Sequence, residues 1–221
     1  MLLRHRVLSG GLPEAPSAEE LVGLDDAERA RAASFATPVL AARYVRSHLL
    51  LRATLAEATG LRPADLRFAR AACPLCAGPH GRPVLLGHDG VHFSLSHAAD
   101  VAVVAVAPTP VGVDVEPLAA PSVAEELAPR LHPLERAEIE AAGPPGSPAR
   151  AEVFTRIWVR SEAYLKAIGT GLGRDPALDY LGLSATGPLP DGWRITEPEL
   201  GSELGPELGA GHRVAVAVDG R

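Results

Sequence analysis

The stretch that decides the fold reads Phe154-Thr-Arg-Ile-Trp-Val-Arg-Ser-Glu-Ala-Tyr-Leu-Lys166. Its apolar residues recur at helical spacing, which predicts a helix with one buried face. Ser147 followed by a proline is typical of a helix start, and Gly169 is typical of a helix end. Glu162 and Lys166 are four residues apart, so they lie on the same side of this helix. The stretch therefore predicts a long helix that holds a carboxylate and an ammonium beside buried apolar surface.

Lys166 is the only lysine in a chain that contains 21 lysine and arginine residues. Lysine is a compact charge that can release a proton, whereas arginine practically cannot. Glu162 and Lys166 are therefore either an ordinary solvated ion pair or part of a reaction centre. The rest of the sequence has to decide between these two interpretations.

A second stretch, Val111-Gly-Val-Asp-Val-Glu116, predicts a strand upstream of that helix. Asp114 and Glu116 are two residues apart, so their carboxylates point to the same side of the strand. Two like charges side by side are unfavourable unless a cation joins them. A hard divalent cation, Mg²⁺ above all, would meet that need. The alternative is a solvated strand end before Pro117.

The composition is that of a globular protein with one large domain or two small ones. The chain has 221 residues, of which 47% are hydrophobic and 22% charged, and these values are ordinary for folded proteins. The net charge of −6 and the lack of a basic run argue against a nucleic-acid partner. No apolar run approaches the ~20 residues that cross a bilayer, and the first residues do not resemble a signal peptide. We therefore expect a cytoplasmic protein with no membrane partner.

The remaining patterns alternate between helices and strands and predict a mixed α/β (α+β) fold. Helices are expected at 25–34, 38–59, 122–131 and 133–142, and strands at 2–8, 91–97, 101–107, 180–183, 193–196 and 212–218. The segment 60–90 is expected to be rich in loops. Two similar Ala/Val-rich strands, Val101–Ala107 and Val214–Val218, each close one part of the chain. This repetition predicts a pseudo-duplicated chain with an N-terminal half at 1–108 and a C-terminal half at 109–221. The Gly- and Pro-rich stretch 197–211 is expected to be a mobile surface loop.

The two cysteines of the chain lie in Cys73-Pro-Leu-Cys76, and His80 and His88 follow closely. Three interpretations are open: two reduced thiols, a redox pair, or three to four zinc ligands. A single C-x-x-C without a second pair is a weak zinc signal. The surrounding Pro, Gly and His residues indicate a loop, which does not suit a thioredoxin-like motif. Reduced thiols are the favoured interpretation.

Several motifs together resemble the 4′-phosphopantetheinyl transferases of the two-halved, surfactin-synthetase-activating type. They are Phe93-Ser-Leu-Ser-His97, Gly112-Val-Asp-Val-Glu116, Trp158-Val-Arg-Ser-Glu-Ala-Tyr-Leu-Lys166 and, as a shorter element, Gly81-Arg82-Pro83. Their order and spacing match, and with the helix around Arg43 the resemblance spans nearly the whole chain. It implies two similar α/β halves with the active site in the cleft between them. It further implies transfer of the phosphopantetheine arm of coenzyme A to a serine of an apo acyl carrier or peptidyl carrier protein, releasing adenosine 3′,5′-bisphosphate. A monomer is expected.

The same resemblance implies roles for individual residues. Asp114, Glu116 and Glu162 resemble the Mg²⁺ site that holds the pyrophosphate. Lys166 resembles the lysine that contacts the phosphates and protonates the leaving group, so the catalytic residues are Glu162, Lys166 and Asp114. Whether Glu162 or a water on the metal takes the proton of the serine is left open. Contacts to coenzyme A are expected from Arg43, Arg82, Ser96, His97 and Lys166.

The sequence also departs from the family pattern. Ser161 stands where many members have a lysine, so one phosphate contact is in doubt, and Ala98 offers no metal ligand after His97. Two other functions use the same residues. One is a non-catalytic module that binds coenzyme A or a carrier protein, and the other is a Mg²⁺-dependent pyrophosphate hydrolase.

Overall fold

The computed structural model of the protein describes residues 1–8, 13–199 and 211–221. The strands of the described part are β1 Leu2–Val7, β2 Phe68–Arg70, β3 Pro83–Leu85, β4 His92–Ala98, β5 Val101–Ala107, β6 Val111–Pro117, β7 Trp193–Thr196 and β8 His212–Asp219. Its α-helices are α1 Ala18–Val22, α2 Asp26–Ala33, α3 Pro38–Thr59, α4 Pro121–Leu127, α5 Pro133–Ala141 and α6 Pro148–Ile168.

The strands form two three-stranded sheets and one separate hairpin. The first sheet has the order β1-β5-β4, the other three-stranded sheet has the order β6-β8-β7, and β2 pairs with β3. Every described pairing is antiparallel. Helices combined with antiparallel sheets confirm the predicted mixed α/β fold. The division at residues 108 and 109 and the duplication of the two halves stay predictions.

Each three-stranded sheet carries a long helix on one face and shares an apolar core on its other face. α3 packs on the first sheet through Leu51 and Leu55. α6 packs on the β6-β8-β7 sheet through Val159 and Ala163. The residues of β5, β6 and β8 that point away from these helices are mostly valines and form one buried cluster. Alternation of side chains along each strand is what separates these two sets.

Close packing of β6 against α6 depends on Gly112. A Cβ atom at this position would overlap the carbonyl oxygen of Ala163 and lie 2.6 Å from the backbone nitrogen of Ala167. Only a residue without a side chain allows the strand to approach the helix backbone this closely. The approach brings Asp114, two residues further along β6, beside the last turn of α6.

The strand predicted at 180–183 is wrong. Tyr180–Leu183 is irregular, because side chains rather than a neighbouring strand accept its backbone hydrogen bonds. Leu181 N donates to Glu135 Oε1 at 2.6 Å, and Leu183 N donates to Glu138 Oε2 at 2.7 Å. The apolar residues of this segment are typical of a strand. Its backbone N–H groups instead donate to glutamate side chains that lie more than 40 residues away in the sequence, which the local pattern does not reveal.

Other sequence-based predictions differ from the structure at single elements. The helix expected at 122–131 ends at Leu127 and continues as a 3₁₀ turn over 128–130, since Pro129 cannot donate a helical hydrogen bond. α1, β2 and β3 were not predicted, and both of these strands lie in the segment 60–90 that was expected to be rich in loops. Most of the loop expected at 197–211 lies outside the described residues. No helix in the described part of the chain has the length and apolar character needed to span a membrane.

Candidate active site

Lys166 and Asp114 form the centre of a polar cluster that joins α6 to β6. The Lys166 ammonium donates to Asp114 Oδ1 at 2.5 Å and to Ser96 Oγ at 3.0 Å. Ser96, on β4, donates its own hydroxyl hydrogen to Asp114 Oδ1 at 2.8 Å. Residues predicted from three separate motifs therefore meet at one carboxylate. The contacts rule out a simple solvated Glu162–Lys166 pair as the main interaction of this lysine.

Asp114 is a buried carboxylate, and one of its two oxygens accepts no hydrogen bond from the described residues. The residue is 2% exposed, and its Oδ2 atom is buried without a hydrogen-bond partner in the described part of the chain. Burial raises the pKa of Asp114, although Lys166 and Ser96 oppose this effect. A buried acceptor without a donor is costly, so this oxygen is a candidate ligand atom for a cation.

Glu116 and Glu162 are half-buried carboxylates near Asp114. Desolvation raises the pKa of Glu116 to about 7, and the neighbouring charges of Asp114 and Glu162 add to the effect. Desolvation and the charge of Asp114 raise the pKa of Glu162 as well. Three carboxylates that repel one another while Lys166 only partly compensates them are expected where a cation completes the site.

The donor set fits Mg²⁺, which takes oxygen ligands from carboxylates. The orphaned Oδ2 of Asp114 is consistent with that fit. The oxygens of Asp114, Glu116 and Glu162 nevertheless do not all lie within 4.8 Å of one another. Within the described ranges, the potential ligand atoms that meet this distance belong to Cys73, Cys76 and His80. The predicted metal set Asp114, Glu116 and Glu162 therefore stays a prediction.

A cleft of about 640 Å³ lies next to this cluster and is lined by both predicted halves. Its basic wall includes Arg70, Arg82 and Lys166. Arg82 donates to the carbonyl oxygen of Ala167 at 2.9 Å, just beyond Lys166. Desolvation lowers the pKa of the Arg82 guanidinium. Of the predicted coenzyme A contacts, Arg82 and Lys166 thus face this cleft.

The remaining predicted contacts to coenzyme A lie elsewhere. Ser96 is engaged with Asp114, and His97 and Arg43 are not among the described residues that line the cleft. Arg43 pairs with Asp100 through an Nη2–Oδ1 distance of 2.7 Å. His97 is exposed, and partial desolvation of its ring lowers its pKa, as does repulsion from His48, Lys166 and Arg43. His97 and Arg43 therefore lie in one basic neighbourhood beside the cluster.

The structure also identifies cleft residues that the sequence did not indicate. Phe68 and Arg70 lie on β2, a strand of three residues that is too short to produce a recognisable pattern. Tyr44 and His48 reach the cleft from α3. Their spacing of four residues on a predicted helix could have suggested a common face. The arginine next to Ser161 does not replace the missing lysine, since Arg160 contacts the carbonyl oxygen of Leu181 and the carboxylate of Glu197.

Residues 110–199 match the model of the 4′-phosphopantetheinyl transferase superfamily. The chain is 30% identical over 166 residues to the 4′-phosphopantetheinyl transferase HetI of Nostoc sp., with 73% of this chain and 66% of that protein aligned. It is 28% identical over 125 residues to a 4′-phosphopantetheinyl transferase of Bacillus subtilis, covering 56% of this chain and 50% of that protein. A phosphopantetheinyl transferase of Thraustochytrium sp. is 28% identical over 180 residues, covering 76% of this chain and 60% of that protein. The chain thus spans less than two thirds of each of these relatives.

Proposed function

Because residues 110–199 match the model of the 4′-phosphopantetheinyl transferase superfamily, we propose that this protein transfers the phosphopantetheine arm of coenzyme A to a serine of an apo carrier protein. The observation that carries the proposal is the Lys166–Asp114–Ser96 cluster, which opens beside a cleft with a basic wall. Phosphoryl transfer depends on positioning and on positive charge around the phosphates, and Lys166 with the arginines of the cleft wall supplies such charge.

Asp114, Glu116 and Glu162 would hold a Mg²⁺ ion in this reaction. When bound, the ion would neutralise charge on the pyrophosphate of coenzyme A. The three side chains supply oxygen atoms only, and desolvation together with the charge of Asp114 raises the pKa of Glu116 and of Glu162. Binding a cation would lower those pKa values, because an opposite charge favours the ionised form.

Glu162 is our candidate for the group that accepts the proton of the attacking serine. It is a half-buried carboxylate, and it lies one helical turn from Lys166. The serine oxygen forms a bond to the phosphorus next to the pantetheine arm. The bond from that phosphorus to the bridging oxygen breaks, and adenosine 3′,5′-bisphosphate leaves. Lys166 would donate a proton from Nζ to this leaving group.

The arginines of the cleft would hold the phosphates of coenzyme A. Arg82 is anchored at Ala167 through one nitrogen, which leaves its other guanidinium hydrogens for an anion. Arg43 and His97 would contribute only after a rearrangement, since Arg43 is paired with Asp100. Ser96 would act as a positioning residue that orients Asp114.

An assay with coenzyme A, Mg²⁺ and a purified apo carrier protein tests the proposal. We expect the carrier to gain the mass of one phosphopantetheine arm. Unmodified carrier with intact coenzyme A would instead support a binding module, and cleaved coenzyme A with unmodified carrier would support a pyrophosphate hydrolase. Asp114→Asn should reduce the rate by at least on the order of 10²-fold. Asp65→Asn, in an exposed pair with Arg62, is the matched control and should leave the rate unchanged.

A further inference from the structure

The loop between β2 and β3 gathers three potential metal ligands outside the active-site cluster. One ligand atom each of Cys73, Cys76 and His80 lies within 4.8 Å of the others. Among the described residues, this is the group of three or more His, Cys, Asp or Glu side chains that lie close enough together to share a metal ion. Cys76 Sγ and His80 Nε2 are 3.0 Å apart. Both thiols are free in the structure. The sequence pattern alone showed a single C-x-x-C, whereas the fold adds the histidine at a defined place.

The backbone of this loop is folded tightly around Cys73. Cys73 N donates to Gly78 O at 2.8 Å, and Ala77 N donates to Cys73 O at 2.8 Å. The backbone N–H groups of Leu75 and Cys76 hydrogen bond to the Cys73 sulfur. Ala77 adopts a left-handed conformation with φ of 59°, which is strained for a residue other than glycine. These contacts hold the Cys73 sulfur in a defined place inside the loop.

We propose that Cys73, Cys76 and His80 bind one Zn²⁺ ion. Thiolate and imidazole ligands favour zinc, whereas oxygen ligands suit Mg²⁺. A tetrahedral zinc ion with Zn–S distances of ~2.3 Å and Zn–N distances of ~2.0 Å separates its ligand atoms by about 3.5–3.8 Å. The observed cluster needs only small side-chain adjustments to reach this spacing. Water or another external ligand takes the fourth position, because the ligand atoms of His88 do not belong to the cluster.

The location of the cluster gives this zinc ion a structural role. His80 lines the cleft, and Gly81 and Arg82 follow it directly. Gly81 N donates to Ala71 O at 2.9 Å, and Ala71 N donates to Arg82 O at 3.0 Å, so the loop closes at its base. On the other side, the loop meets the segment after α6, where a Cβ atom on Gly173 would lie 3.3 Å from Leu75. Zinc would therefore fix the loop that carries Arg82, whether or not the protein is a transferase.

Binding of Co²⁺, a spectroscopic substitute for Zn²⁺, provides the main test. The full-length protein is reduced, stripped with a chelator and titrated with Co²⁺. We expect saturation at one ion per chain with the absorption bands of tetrahedral coordination and a thiolate-to-metal charge-transfer band. Cys73 and Cys76 are the only cysteines of the chain, so such a band can come from no other site. Added Zn²⁺ should abolish the bands, and excess Mg²⁺ should leave them unchanged.

Variants identify the ligands. Cys73→Ser, Cys76→Ser and His80→Asn should each weaken Co²⁺ binding by at least ~10–100-fold. Loss of a residue that only hydrogen bonds to a metal ligand already has an effect of this size, and loss of a ligand itself should have a larger one. His88→Asn is the matched control and should bind Co²⁺ like the wild type. If a variant fails to fold, alkylation of the two thiols of the wild-type protein tests the same ligands without a substitution. The alkylated protein should lose Co²⁺ binding, as the cysteine variants should.

Three results would overturn the zinc proposal. The first is a Co²⁺ spectrum without a thiolate band at one equivalent of metal. The second is a Cys73–Cys76 disulfide that forms in air despite stoichiometric Zn²⁺, as detected by the mass of a proteolytic peptide. The third is loss of binding in His88→Asn to the same degree as in His80→Asn.

Discussion

Asp114 and Lys166 show, at the scale of single residues, how a buried charge is kept ionisable. Asp114 is almost fully buried, whereas the Lys166 side chain keeps 30% of its surface exposed. The ammonium therefore reaches in from the edge of the cleft to compensate a carboxylate that solvent cannot reach. Ser96 donates to the same carboxylate oxygen and so helps to compensate its charge.

Lys166→Arg tests whether this residue transfers a proton. Arginine keeps the charge but does not release a proton and is less compact. We expect kcat to fall by on the order of 10²-fold, while the affinity for coenzyme A, measured by calorimetry, stays nearly the same. A kcat close to the wild-type value would contradict the proton-donor role and leave an electrostatic one.

Lys166→Ala tests the pairing with Asp114 separately. Removing one partner of a fully buried pair costs ~3–5 kcal/mol, and the partial exposure of Lys166 reduces this to about 1–3 kcal/mol. Urea unfolding measures the change. Arg62→Ala removes an exposed ion pair and serves as the control, with a much smaller expected change, since water screens such a pair. Equal stability changes in the two variants would mean that the Asp114–Lys166 contact contributes no more than a surface pair.

At the scale of elements, Gly112 controls how close β6 and α6 approach. Gly112→Ala places a methyl group against the backbone of Ala163 and Ala167, which cannot move aside as a side chain could. We expect the free energy of unfolding to fall by about 3 kcal/mol or more, at the upper end of the cost of overpacking. Denaturant unfolding followed by circular dichroism measures it.

Gly90→Ala is the matched control for Gly112→Ala. No atom lies within 4 Å of a Cβ atom built at Gly90, and its φ is outside the left-handed region. We expect a change of less than about 1 kcal/mol, and a small gain is possible because alanine restricts the unfolded chain. If both variants lose the same stability, the close approach of β6 to α6 is not what Gly112 provides.

Elements with local signals could be predicted from the sequence, and contacts between distant elements could not. The bounds of α3 and α6 follow from Thr37 and Ser147 as N-caps and from Gly60 and Gly169 as left-handed C-caps. Asp114, Glu162 and Lys166 were found because each lies in a local motif. The pairing of Arg43 with Asp100 depends on a fold that brings α3 to the β4–β5 turn. The spacing of residues along the sequence does not predict a contact between residues this far apart.

For the whole molecule, buried carboxylates make stability depend on pH. Glu135 is fully buried, and desolvation raises its pKa from 4.5 to about 7, although Leu181 N and His132 N donate to it. The folded state therefore binds this proton more tightly than the unfolded state does. The stabilising contribution is complete below pH 4.5 and is lost as the pH rises towards 7. Over that range the loss amounts to about 3 kcal/mol.

Glu135→Gln tests this pH dependence, because glutamine does not titrate. The wild type should lose about 3 kcal/mol more than Glu135→Gln between pH 4.5 and pH 8, as measured by urea unfolding in a chelator. Glu125→Gln is the control. Backbone hydrogen bonding from Gly146 lowers the pKa of Glu125, so its small effect has the opposite sign. Parallel stability curves for the wild type and Glu135→Gln would contradict the raised pKa.

The sheet that carries Asp114 also has a consequence for synthesis of the chain. Val111 of β6 pairs with Val218 of β8, so a nascent β6 lacks its neighbour until about 100 further residues have been translated. At a translation rate of ~5–20 residues per second, the wait is about 5–20 s. During that time β6, and the valine-rich face of β5 that packs with β6 and β8, are available to chaperones and to other nascent chains. A slow codon between these strands and β8 would therefore lengthen the period in which the polypeptide on the ribosome is prone to aggregate.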